Sequence, residues 1–124
     1  MTPTTRARAL AALLTVTGTT HFAVPAPYAR IVPRPLGAPY RWVYASGVAE
    51  LACAAALLPR RTRRPAALAA TVLFVVVFPA NVKMALDSGR NPSAAYRAGT
   101  WLRLPVQLPL VLWARRIARD SRPV

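Results

Sequence analysis

Cysteine, histidine and acidic residues are all scarce in this chain. Cys53 stands alone inside an apolar run, so there is no disulfide framework, no C-x-x-C redox pair and no thiolate zinc site. His21 is the only histidine, and with one buried carboxylate and one remote cysteine it makes no recognisable ligand set, so no metal is expected. Any redox role therefore needs a borrowed cofactor. The acids are Glu50, Asp87 and Asp120, three against 17 Lys plus Arg, which leaves a formal charge of +14 over 124 residues.

Such a charge ordinarily points to nucleic acid or an anionic surface. Its distribution argues for the second. The arginines fall in clusters, Arg60, Arg61, Arg63 and Arg64, then Arg115, Arg116 and Arg119, and these punctuate long apolar runs instead of lining one face. Membrane topology produces that punctuation. No stretch mixes basic and aromatic residues as an RNA- or DNA-binding module does, and no nucleic-acid partner is expected. The 55% apolar content agrees with a lipid-facing chain.

Four segments separate by charge. Ala9 to Ala29 is uncharged apart from His21, Trp42 to Pro59 carries only Glu50, and Pro65 to Val82 carries no charge. Ala98 to Ala114 contains Arg103; on hydropathy alone it is the weakest, with a short buried helix as its alternative reading. A hydrocarbon layer of ~30 Å needs roughly 20 apolar residues, and a lipid-exposed segment must satisfy its own backbone. Runs of this length therefore predict helices, whereas barrel strands would be shorter and alternate in polarity. The expected fold is all-α: an integral membrane four-helix bundle, a single transmembrane domain over 1–124. Its helices are placed at approximately 6–24, 40–58, 65–86 and 98–116, with a Pro-rich interfacial loop at 25–39 between helices 1 and 2 and a basic tail at 117–124. Pro79, Pro105 and Pro109 predict kinks. Tyr28, Tyr40, Trp42, Tyr44 and Trp101 read as an aromatic belt at one surface, with Trp113 at the other.

For four spans, the side holding the termini and the middle loop carries ten basic residues and the other side seven, which places both termini in the cytoplasm of a multi-pass inner-membrane protein. A rival reading takes Arg6, Arg8 and the short apolar core after them as a secretory signal peptide, which would leave three spans.

Charges inside a membrane helix cost about 2.5 to 3.5 kcal/mol, so each calls for a reason. Glu50 falls about 12 Å from Trp42 along a helix, near the midplane of such a span. His21, Asn81, Arg103 and Gln107 fall at comparable depth if helix direction alternates. The pairs Thr17 and His21, Ser46 and Glu50, and Arg103 and Gln107 are each spaced i, i+4 and share a helix face. His21, Glu50, Asn81, Arg103 and Gln107 are thus the candidate binding residues, lining an outward polar pocket able to take a quinone head group or exchange a proton. A plainer reading pairs Glu50 with Arg103 or His21 for structure alone, and gives His21 a helix-end hydrogen bond. Ala45, Ala49 and Cys53 form a small-residue ridge, with Cys53 a packing residue.

These motifs, Gly18-Thr19-Thr20-His21-Phe22 with Pro25, Ile31-Val32-Pro33, Ser46 to Glu50, Phe78-Pro79-Ala80-Asn81 with Met84-Ala85-Leu86, and Arg103 to Gln107, resemble the DoxX-like small membrane proteins of bacteria along most of the chain. The resemblance implies four membrane helices in place of a signal peptide. It also implies a link to thiosulfate:quinone oxidoreductase subunits, oxidative-stress complexes or redox-enzyme maturation, although the missing cysteine pair tells against thiol-disulfide chemistry. The expected function is an auxiliary, non-catalytic subunit of a membrane redox or stress system, with a quinone as the candidate cofactor. The lipid bilayer is the expected partner, together with a membrane protein or a second copy. The alternatives are a quinone-linked oxidoreductase subunit acting directly in electron or proton transfer and a small transporter, the latter disfavoured by the absence of an inverted repeat.

Overall fold

The computed structural model describes residues 2–30, 32 and 34–122. Thr2 starts the first helix, its hydroxyl accepting the Thr5 N–H at 3.1 Å, with Pro3 in the first turn where no N–H is needed. Helix α1 runs Pro3–Ala23. Its threonines stay compatible with a helix by turning their hydroxyls onto the backbone, Thr15 to the Ala11 carbonyl at 2.7 Å and Thr19 to that of Thr15 at 2.6 Å. Pro25 ends this run and opens the short helix α2, Pro25–Arg30. A 3-10 turn at Arg34–Leu36 and a left-handed Gly37 (φ 62°) then lead to α3, Pro39–Leu57.

Helix α4 is Arg60–Val76 and α5 is Phe78–Asp87, followed by a 3-10 turn at Ser88–Arg90. Pro79 has no N–H to continue the ladder, so the apolar run divides near Val77. The Ser93 hydroxyl caps α6, Ala94–Asp120, which continues through both Pro105 and Pro109.

In space α1 packs on α3, α3 on α4, α4 on α6, and α6 back on α1, which closes a ring of long helices. One half of the ring is filled: Leu10, Leu14, Leu57 and Ile117 are fully buried among Ala7, Ala67, Ala70 and Ala114. Alanine at so many contacts lets the backbones approach closely. At this end the three acids show one of their uses, because Arg6 of α1 bonds Asp120 of α6 at 3.1 Å. The other half of the ring, beyond Leu14 and Phe74, is not filled and holds the cleft described below.

The chain is all-α among the described residues, but the expected integral membrane four-helix bundle is not what the helices support. Among the described residues, only the helical stretch Arg60–Arg90, 31 residues, is long and apolar enough to cross a membrane. Freedom from charge was the basis for four spans, and it is not the same as apolarity. The uncharged part of α1 is diluted by Thr15, Thr17, Thr19, Thr20 and His21, α3 by Ser46, Gly47 and Glu50, and α6 by Arg97, Arg103 and Gln107. The multi-pass reading falls with the bundle, and so does the orientation that rested on an even number of spans. Further differences are local. The stretch expected as a loop at 25–39 contains α2, since proline suits the first turn of a helix, and the expected basic tail is helical as far as Asp120. Ile31 and Pro33 of the Ile31-Val32-Pro33 motif lie outside the described residues.

A candidate ligand-binding cleft

Two glycines bring α1 and α3 together at the cleft. A Cβ built on Gly47 would meet Phe22 Cε2 at 2.7 Å and His21 Cβ at 3.0 Å, and one on Gly18 would meet Leu51 Cγ at 2.9 Å and Glu50 Cβ at 3.2 Å. Both glycines are buried and both lie inside helices, where glycine costs roughly 1 kcal/mol relative to alanine. Close approach is the reason they are there. It sets the His21 and Glu50 side chains against each other.

The contact is a three-residue cluster. Thr17 Oγ1 donates to Glu50 Oε1 at 3.1 Å, and His21 Nδ1 stands 3.1 Å from Glu50 Oε2. The same nitrogen lies 2.6 Å from the Thr17 carbonyl, which can only accept, so Nδ1 carries a hydrogen and spends it there. Glu50 Oε2 is in consequence buried beside a histidine yet receives no hydrogen bond. Burial pushes the Glu50 carboxyl above the usual carboxylate range, against the pull of His21 and the Thr17 hydroxyl. The neighbouring Cys53 thiol is also raised, by burial first and by Glu50 second, which disfavours a reactive thiolate.

Tyr28 completes this wall. Its ring stacks on His21 with centroids 4.0 Å apart and planes at 16°, and its hydroxyl shares a hydrogen bond with Thr20 at 2.7 Å. Sequence reasoning assigned Tyr28 to an aromatic belt and did not connect it to His21. The signal was local: a break at Pro25 folds the chain back, bringing a residue seven positions later over the last turn of α1.

The opposite wall comes from α5 and α6. Asn81 Nδ2 donates to Gln107 Oε1 at 3.2 Å, and the buried Gln107 in turn donates to the Phe74 carbonyl beside the α4–α5 break. Helix interruptions leave carbonyls for neighbours to satisfy, and Gln107 does so here. Arg103 does not reach Glu50; its Nη1 contacts Met84 Sδ at 3.6 Å.

Between the walls is a cleft of about 700 Å³. His21, Glu50, Asn81, Arg103 and Gln107 all border it, so the five residues singled out from sequence surround one space, although hydrogen bonds join them only in separate groups. The remaining lining is largely apolar, including Leu13, Val43, Phe74, Val77 and Leu110. The connector contributes Tyr28, Val32, Pro35 and Leu36, and Trp42, whose indole donates to the Leu36 carbonyl at 3.2 Å, borders the same space. An apolar space of this size with a few polar groups at its edge is the usual form of a small-molecule site.

A quinone head group needs donors for its carbonyl oxygens and an acceptor for its hydroxyls once reduced. Arg103 and Asn81 supply donors and the Glu50 carboxyl at the edge of the cleft an acceptor, so the residues present fit such a group, with apolar walls for the attached chain.

The fold and cleft define a small helical protein with a ligand-sized space at one end. The chain belongs to a family described as a domain of unknown function, DUF8561, which matches it over residues 10–118 and so includes every residue bordering the cleft. No curated protein and no solved structure matches the chain.

Proposed function

We propose that the protein is a non-catalytic membrane-associated subunit that holds an amphipathic ligand with a quinone-type head group, in support of a redox or oxidative-stress system. The observation that carries this reading is the cleft of about 700 Å³, apolar through most of its lining, with Arg103 and Asn81 on one wall and Glu50 and His21 on the other. The resemblance to DoxX-like proteins supplies the redox setting. When bound, a quinone would supply electron-carrying capacity. The chain's own residues bind and orient it: Arg103 and Asn81 donate to oxygen, and the apolar walls exclude water from the Glu50 carboxyl.

Membrane association is supported by Arg60–Arg90, in which 22% of the most apolar window is buried, so that Val72, Val75 and Val76 face outward. After cell lysis and an alkaline carbonate wash, the protein is expected in the membrane pellet. Release into the supernatant would contradict this placement.

Ligand binding is tested by titrating the detergent-solubilised chain with a short-chain quinone while following tryptophan fluorescence. Saturable quenching is expected in the wild type, and most of it should vanish in Trp42→Phe, because Trp42 borders the cleft. Arg103→Gln is expected to weaken binding roughly tenfold, the loss of one charge-assisted hydrogen bond. Quenching that never saturates, or that persists in Trp42→Phe, would rule the site out.

A second reading, direct participation in proton transfer, is favoured by the Glu50 Oε2 atom, which is buried, unpaired and adjacent to His21. It differs in outcome: Glu50→Gln then abolishes turnover of the partner system in membranes while the variant remains folded and ligand-bound.

A further inference from the structure

At the end of the molecule away from the cleft, α4 and α6 enclose a groove of about 470 Å³. Five arginines border it, Arg64 from α4 with Arg115, Arg116 and Arg119 from α6 and Arg122 just beyond, and no acidic residue does. Among the described residues, the carboxylate paired with these guanidiniums is Asp120, which is bonded to Arg6 at 3.1 Å and lies 3.9 Å from Arg116 Nε and 4.0 Å from Arg119 Nε. Among the described residues, one shared carboxylate faces five arginines.

The adjacent residues Arg63 and Arg64 show that this is more than a solvated basic surface. Arg63 is buried and its guanidinium donates to the carbonyls of Leu57 and Leu58 and to Thr4, a structural use that explains it. Arg64 Nε is also buried, yet among the described residues it has no hydrogen-bond partner. A buried guanidinium N–H without a protein acceptor is costly, and a water or an anion has to supply one. The rest of the lining narrows the choice of ligand. Leu68 and Leu112, 45% and 53% exposed, border the arginines, and no aromatic side chain borders the groove on which a nucleobase would stack.

We propose that this groove binds the phosphate group of an anionic phospholipid, with the arginines around the phosphate and Leu68 and Leu112 along the start of the acyl chain. Guanidinium groups suit phosphate because their paired N–H donors match its oxygens. The site is separate from the cleft and does not depend on what the cleft holds.

Calorimetric titration of the detergent-solubilised full chain distinguishes the sources of the phosphate. The probes are dihexanoyl phosphatidic acid, dihexanoyl phosphatidylcholine and inorganic phosphate. Saturable binding of phosphatidic acid is expected, with about tenfold or greater weakening in the double variant Arg64→Gln, Arg119→Gln. The control Arg60→Gln, Arg61→Gln removes the same charge from positions that do not line the groove and should change affinity by less than about twofold. If the first variant does not fold, Arg116→Gln with Arg119→Gln, both exposed, replaces it with the same expectation. Inorganic phosphate binding as tightly as phosphatidic acid would keep the anion site and exclude the lipid source. Equal losses in the groove and control variants would mean that net charge alone attracts the lipid, and would overturn the proposal, as would no binding of either phosphate.

Discussion

Gly47→Leu should lower the stability of the protein by about 3 kcal/mol, or roughly 10 °C in Tm, and should abolish ligand binding in the cleft. The first atom of any side chain at this position meets the Phe22 ring at 2.7 Å and, at 3.0 Å, the Cβ of His21, which is fixed to the α1 backbone. The ring can swing away, because Phe22 is 42% exposed. The His21 Cβ cannot move without α1. A leucine therefore forces the helices apart where Thr17, His21 and Glu50 meet. Gly47→Ala is the informative companion: it introduces the same first-atom contacts without the further bulk and recovers roughly 1 kcal/mol of helix propensity, so it should be destabilising but by clearly less than leucine. Thermal unfolding of both variants checks the pair. Equal stability of Gly47→Leu and wild type would mean that α1 and α3 are not in the close contact described here.

Arg63→Met should cost about 2 to 4 kcal/mol, even though it removes only one of 17 basic residues. Arg63 is 6% exposed, and its hydrogen-bond partners among the described residues are carbonyls and a hydroxyl, not a carboxylate. Its partners are the last carbonyls of α3, Leu57 at 3.0 Å from Nε and Leu58 at 2.9 Å from Nη2, with Thr4 of α1 at 3.4 Å from Nη1. Helix ends leave such carbonyls without backbone partners, and a cation there is favoured by the helix dipole as well. Methionine preserves much of the volume but leaves the Leu57 carbonyl unpaired in a buried place. Arg60→Met, at an exposed position three residues earlier, should change stability by less than about 0.5 kcal/mol. Denaturant unfolding of the two variants separates a structural arginine from a surface one.

These two residues also show what was legible in the sequence and what was not. That the chain is helical followed from its long apolar segments, and the difficulty of burying Glu50, Asn81 and Arg103 singled out residues that do border one space. The i, i+4 spacing of Arg103 and Gln107 could be read directly, since it depends on a single helix. Which groups pair across helices could not. Glu50 had two candidate partners, Arg103 and His21, and the choice depends on how closely Gly18 and Gly47 let α1 approach α3, a tertiary quantity. Tyr28 depends on the fold-back at Pro25, and the buried role of Arg63 depends on where α3 ends. The membrane count failed for a simpler reason. A gap between charges is not a span: the threonines and His21 in α1, Ser46 and Glu50 in α3, and Arg97, Arg103 and Gln107 in α6 lower the apolarity of those helices, and among the described residues the stretch Arg60–Arg90 alone stays apolar enough.

The Arg60–Arg90 stretch also explains the form of the cleft. Pro79 interrupts it, Gln107 answers the Phe74 carbonyl at the interruption, and Asn81 follows on the next turn beside Gln107. The break places polar groups against an otherwise apolar wall. Opposite it, Glu50 and His21 share one hydrogen too few for their acceptors.

Occupation of the cleft is tested most directly by quinone titration of the wild type beside Ser46→Phe. Ser46 borders the cleft one turn before Glu50 on α3 and takes part in none of the ion pairs, so phenylalanine there fills space without removing a charge. If the cleft is the binding site, the wild type quenches saturably and Ser46→Phe loses about tenfold or more in affinity while remaining folded. Equal affinity in the two proteins would show that the ligand binds elsewhere.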